Sequence, residues 1–256
     1  MSGRGRIVTS WLRQPVDDTL AAMEQIVAGP RPLASFGLVL LAMTACWYVY
    51  VPVHELLHAL GCTATGGTVT TLEIQVQYGG SWLARVFPFV VPGGDYAGRL
   101  TGFDTHGSDV TYLATDVLPF ALSVLLGVPA LRACTRRRRP LLMGVGVVVG
   151  LAPFYNVPGD YYEMGSILTT RAAAALGLDF TGLRGDDLAR IVVQLFEEPR
   201  TLGVSGPGLA TLSVLALSTA LAFALAFATW ASGDLLARRF VGPSRPLREL
   251  RTTETD

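Results

Sequence analysis

The chain contains no lysine, and it has only three histidines and three cysteines in 256 residues. Only 16% of it is charged, against about 25% in an ordinary soluble domain. Each shortage excludes something. With three cysteines and no Cys-x-x-Cys pair, there is no metal knuckle and no disulfide framework. With a formal net charge of zero, nucleic acid is not the expected partner. Residues 1–30 carry Asp17, Asp18 and Glu24 and have no early apolar stretch with a small-residue cleavage site, so a cleavable signal peptide is not expected. What fills the space is apolar. Half of the residues are hydrophobic, and the mean hydropathy is +0.43.

Four apolar stretches are long enough to cross a hydrocarbon layer, which takes about 20 helical residues. They cover about 33–60, 112–131, 140–158 and 209–230. The arginines orient them. Arg4, Arg6, Arg13 and Arg31 precede the first span, Arg132 and Arg136 to Arg139 fill the link between the second and third, and Arg238, Arg239, Arg245, Arg248 and Arg251 follow the fourth. Four spans put these 14 of the 20 arginines on one side, and three or five would not. Under the positive-inside rule that side is cytoplasmic, with both termini inside. The expectation is an all-α polytopic membrane protein of the bacterial or archaeal plasma membrane. It comprises a cytoplasmic segment 1–32, one membrane-embedded domain 33–231 and an arginine-rich cytoplasmic tail 232–256.

Two outer segments have their own pattern. In Thr68 to Tyr78, Leu72, Ile74, Val76 and Tyr78 alternate with Glu73, Gln75 and Gln77 between two Gly-Gly pairs, which predicts a strand or hairpin arm. Residues 186–198 place Leu188, Ile191, Val192, Leu195 and Phe196 on one helical face, which predicts an amphipathic helix in the outer interface. A weaker one is expected at 16–28.

The chemistry is concentrated in His54-Glu55-Leu56-Leu57-His58. On a helix the two histidines fall at i and i+4, so both imidazoles leave one face and can share a metal. Glu55 is then placed to act on water at the metal. With so few histidines, chance would produce this pattern in roughly one such sequence in a thousand, so the motif is specific. Zinc usually takes a third protein ligand, and the candidate is Asp160. His54 and Asp160 lie 22 and 20 residues after Pro32 and Pro140, so both sit about 30 Å along parallel spans at 1.5 Å per residue. Glu163, one turn on, is an alternative ligand or a partner of the ligands. His106 reads as a solvated loop residue and Asp116 as interfacial. Trp47, Tyr48, Tyr50, Tyr161 and Tyr162 read as an aromatic belt. Gly146 and Gly150 form a small-xxx-small stripe where another helix can come close. Pro158-Gly159 should break the third helix before Asp160.

HELLH at the end of an apolar span, a glycine-flanked strand, and Asn156-Val157-Pro158-Gly159-Asp160 in a later span together resemble the site-2 protease family of intramembrane zinc metalloproteases. The resemblance covers about 35–165. It implies zinc held by His54, His58 and Asp160, Glu55 as general base, and Asn156 positioning the substrate backbone. It also implies cleavage of a single-pass membrane protein. Three features depart from the family pattern. The usual Leu-Asp-Gly is compressed to Pro-Gly-Asp, no PDZ-like insert is present, and the arginines put the site toward the outer face. Leu72, Ile74 and Val76 are expected to offer a strand edge that holds an extended substrate. The rival readings are a membrane protein without proteolysis, whether a zinc-binding scaffold, a metal permease or an inactive relative, and a gluzincin-like protease with Glu163 as third ligand.

Overall fold

The first long helices follow from composition and its punctuation. α1 (Gly3–Val27) ends at an Ala-Gly-Pro segment, and α2 (Pro32–Ala64) opens on a proline, whose missing N–H costs nothing in a first turn. α2 ends at Gly66, where φ is +96°, a conformation that glycine adopts without steric cost. The structure, a computed structural model, describes the backbone of residues 3–242 and the side chains of residues 12–242. The side chains of Arg4 and Arg6, and all of Arg245, Arg248 and Arg251, lie outside the described residues.

Past α2 the chain forms a three-stranded sheet, ordered β2-β1-β3, from β1 (Thr68–Ile74), β2 (Val90–Pro92) and β3 (Gly98–Asp104). β1 runs parallel to β2, pairing Leu72 with Val90, and antiparallel to β3, pairing Thr68 with Asp104 and Ile74 with Gly98. The expected hairpin arm therefore becomes a central strand, and it is shorter than the alternation suggested. It stops at Ile74, and Val76–Tyr78 forms a 3-10 turn closed by Gly79 at φ +85°. Leu72 and Ile74 are fully buried. They form a core with Ala59, Leu83 and Val90, flanked by Leu56, Phe87, Phe89 and Leu100.

α3 (Asp109–Cys134) begins with Ser108 as N-cap, its hydroxyl accepting the Thr111 N–H at 3.2 Å, and Asp109 in the positive first turn. Pro119 removes a donor, and the helix tightens to 3-10 at Leu118–Phe120. It then widens to a π-turn at Ser123–Gly127. α4 (140–150) ends in a second π-turn, Gly146–Gly150. One helical turn (Ala152–Tyr155) and the turn 156–159 follow, and the helix resumes as α5 (Asp160–Ala175). The third span thus runs to Ala175, well past the expected 158. The amphipathic helix is α6 (Leu188–Glu197), and the last span is α7 (Leu209–Phe240). Among the described residues, four helices are long and apolar enough to cross a membrane. With the small sheet, the chain is an all-α polytopic membrane protein.

Contacts divide the chain into two units. Of the described residues, the first holds 3–50, 120–152 and 227–242. There Gly127 and Gly150 let α3 and α4 touch. A Cβ on Gly127 would lie 2.2 Å from the Gly150 nitrogen, and one on Gly146 would lie 2.8 Å from the Leu131 nitrogen. The glycine stripe therefore serves α3, while Gly144 is the residue that meets α2, at Val39 and Ala42. This unit also buries an ionic network. Arg132 reaches Asp18 on α1 at 3.2 Å and Asp234 on α7 at 2.8 Å, and Arg238 closes on Asp234 at 2.7 Å. Arg132 is therefore a core residue, not one of the exposed charges of the α3–α4 link.

The second unit holds residues 51–119 and 153–226. Its helices also cross at glycine. A Cβ on Gly61 would fall 2.4 Å from the Ala114 carbonyl oxygen, and one on Gly165 would fall 2.3 Å from that of Ser218. Gly61 thereby brings α3 against the histidine-bearing turns of α2.

Candidate metal centre

The centre lies wholly within the second unit. On α2, His54 and His58 leave one face while Leu56 and Ala59 pack on the sheet. The facing element is the first turn of α5. The Asn156 carbonyl accepts the N–H groups of Gly159 (3.2 Å) and Tyr161 (3.3 Å), and this closes the turn that presents Asp160. An aspartate suits that position, since a helix N-terminus favours negative charge.

The three side chains converge. His54 Nε2 lies 3.2 Å from Asp160 Oδ2 and 3.1 Å from His58 Nε2, and His58 Nε2 lies 3.7 Å from Asp160 Oδ1. Donors bound to one small divalent ion at about 2.0–2.2 Å stand roughly 3.3–3.6 Å apart in a tetrahedron. The observed spacings fit that pattern. Both histidines are buried. Among the described residues, this is the group of three or more His, Cys, Asp or Glu side chains that could hold a metal ion.

The hydrogen bonding favours ligation too. His58 Nδ1 lies 2.8 Å from the carbonyl oxygen of Thr115, which can only accept. Nδ1 therefore carries the proton, and in a neutral ring Nε2 presents its lone pair toward His54 and Asp160. α3 supplies that carbonyl at the helix crossing that Gly61 permits.

Glu55, one residue along α2 from His54, lies against β3. A Cβ on Gly98 would sit 2.4 Å from Glu55 Cγ and 3.0 Å from its carboxyl carbon. The next residue, Arg99, binds Asp186 at 3.1 Å and lies 5.1 Å from the centre of the Tyr96 ring. Asp186 also takes Arg190 at 3.2 Å, and the Leu188 N–H donates to the Pro158 carbonyl at 2.8 Å. The N-terminus of α6 is thus tied both to β3 and to the turn before Asp160. Burial pushes the Asp187 carboxyl above the ordinary aspartate range, and the charges of Arg99 and Arg190 partly offset this.

Other expected site residues fall in various places. Glu163 stays outside the group of three, its Oε2 accepting the Tyr112 hydroxyl at 2.8 Å. Asn156 forms the turn before Asp160. Leu72 and Ile74 are buried in the central strand, so neither belongs to an edge, and Val76 is exposed but lies beyond the strand. The substrate edge expected there does not exist, because β2 and β3 already take both sides of β1. His106 is an exposed loop residue at φ +52° beside Asp104. Asp116 is buried within the protein, and its Oδ2 has no hydrogen-bond partner among the described residues. Sequence reasoning missed Thr115, Gly98 and Arg99, whose roles depend on chain crossings that leave no local pattern.

No family model matches the chain, and neither does any curated protein or solved structure.

Proposed function

We propose that the chain is a zinc-dependent intramembrane endopeptidase of the site-2 protease kind. The observation that carries this reading is the convergence of His54, His58 and Asp160, with Glu55 beside them in the HELLH turn. Two imidazoles and one carboxylate suit zinc, with a position left for water or substrate. Bound there, zinc supplies a Lewis acid that polarises a carbonyl and makes water acidic near neutral pH.

The chain's own residues do the rest. Thr115 fixes the His58 tautomer. Glu55 takes a proton from the attacking water and delivers it to the departing amine nitrogen. The new C–O bond forms first, and the peptide C–N bond breaks once the amine nitrogen has received that proton. A helical substrate must unwind first, because its carbonyls are otherwise engaged in hydrogen bonds. β3 is an edge strand and passes Glu55 at Gly98, so it replaces β1 as the place where an extended segment can add. Asn156 would then contact the substrate backbone from the ligand turn. The arginine distribution supports cytoplasmic termini.

The test is a purified chain in lipid nanodiscs with a panel of single-pass reporter proteins. We expect about one zinc per chain by elemental analysis and cleavage of a reporter. Glu55→Gln is expected to keep the zinc and lose about 10²–10⁴-fold in turnover. A wild-type chain without zinc, or a Glu55→Gln chain that still cleaves, would overturn the proposal.

A further inference from the structure

The first unit carries a surface that the metal centre does not use. Along α1, Leu12, Val16, Leu20 and Val27 are exposed by 44%, 59%, 53% and 57%. At 3.6 residues per turn these four fall within about 80° of one another around the helix. Asp18, Ala21, Ala22 and Ile26 occupy a separate, buried arc. Exposed Arg13 and Asp17 fill the remaining sector. α1 therefore has three sides: one against protein, one apolar and uncovered, one polar. A helix packed on a soluble protein needs only two. Three are what a helix has when it lies at a membrane surface and is also fixed to a bundle.

Two further observations say what covers the apolar side. Only residues 28–31 separate α1 from α2, whose opening turns expose Leu33, Phe36, Leu40 and Leu41. The apolar stripe is thus joined by a short link to a span whose exposed face must meet lipid. The exposed charge around it is predominantly positive. Arg13, Arg31, Arg136, Arg137, Arg139 and Arg239 are exposed, and Asp17 is the only exposed acid among the described residues of this unit. The unit's two buried aspartates, Asp18 and Asp234, are occupied by Arg132 and Arg238. The Asp18–Arg132 contact also pins α1 in its rotation, so the stripe cannot turn inward.

We propose that α1 and the arginines of the α3–α4 link form a binding face for an anionic phospholipid leaflet. The Leu12–Val27 stripe enters the acyl region, and Arg136, Arg137 and Arg139 take headgroup phosphates. The proposal stands apart from the metal centre and does not require that the chain cleave anything.

The test uses the full chain with Cys46, Cys62 and Cys134 replaced by alanine, in nanodiscs of phosphatidylcholine with phosphatidylglycerol. Single spin labels at positions 12, 16, 20, 13 and 17 are expected to show highest oxygen accessibility at 16 and 20. Accessibility to a water-soluble nickel chelate should be highest at 13 and 17. Nickel maxima at 16 and 20, or spin–spin broadening there from a second copy, would overturn the proposal.

The headgroup part is read separately, by native mass spectrometry of lipids retained on the protein. The unsubstituted chain should retain phosphatidylglycerol over phosphatidylcholine, and added inorganic phosphate should not displace it. Each arginine near an anionic surface is worth about fivefold in affinity, so R136Q/R137Q/R139Q should lower the preference on the order of 10- to 100-fold. An unchanged preference in that variant, or loss of the lipid to phosphate alone, would also overturn it.

Discussion

The sharpest consequence of the proposed chemistry concerns a residue that touches no ligand. Gly98 leaves room for the Glu55 side chain, and its φ lies outside the left-handed region, so Gly98→Ala adds only a methyl group without backbone strain. That methyl would lie 2.4 Å from Glu55 Cγ, whereas contacting carbons settle about 3.5–4.0 Å apart. Either Glu55 retreats by about 1 Å or it changes rotamer, and both displace the carboxylate. A misplacement of about 1 Å costs on the order of 10²-fold in turnover, or about 2.7 kcal/mol of transition-state stabilisation. The histidines and Asp160 are not touched, so zinc content should stay at the wild-type level. The assay pairs elemental analysis with reporter cleavage in nanodiscs, and Glu55→Gln sets the floor. A Gly98→Ala protein that keeps its zinc and cleaves within about threefold of wild type would refute the reasoning, since Glu55 could then move without consequence.

Three other outcomes are expected. Asp160→Ala should lose zinc while Glu163→Ala keeps it, measured as metal per chain after dialysis; the reverse would favour the Glu163 ligand set. Arg132→Met removes the buried guanidinium that joins Asp18 to Asp234, with Arg238 still on Asp234, and should cost about 3 kcal/mol, read as a lower unfolding temperature in detergent. Combining it with Asp18→Leu and Asp234→Leu should recover most of that loss, and a triple variant no more stable than the single would count against the network. Burial raises the Asp187 carboxyl, so folding favours its protonated form. That stabilisation is complete below the ordinary range near about pH 4 and is lost as pH rises through the folded value. Asp187→Asn should flatten this part of the stability profile, and an unchanged slope would assign it to other groups.

Some of this architecture can be read from the residues and some cannot, for physical reasons. The four spans are legible because a membrane demands continuous apolar runs, and their number because Arg136 to Arg139 must share a side with the terminal arginines. HELLH is legible because helical spacing alone brings His54 and His58 together. Asp160 required a depth argument, and the structure places it beside both rings. The sheet order was hidden. β2 is three residues long and ends in Pro92, so it has no alternation to detect, yet its pairing makes β1 central and removes the expected edge. The resumption of helix at Asp160 was hidden too, since Pro158-Gly159 reads as an end. Arg132 looked like its neighbours in a cationic link, and only its contacts with two distant aspartates show that it is buried.

The acceptor that holds His58 belongs to the main chain, and this has a practical consequence. Every amino acid carries a carbonyl, so replacing Thr115 by a residue of similar size that fits its buried position leaves the anchor in place. The imidazole would notice only a slide or rotation of the whole α3 rod. Its orientation is therefore governed by how the second span is seated, and changes many residues away, including bulk at Gly61, can alter it without altering any group at the centre.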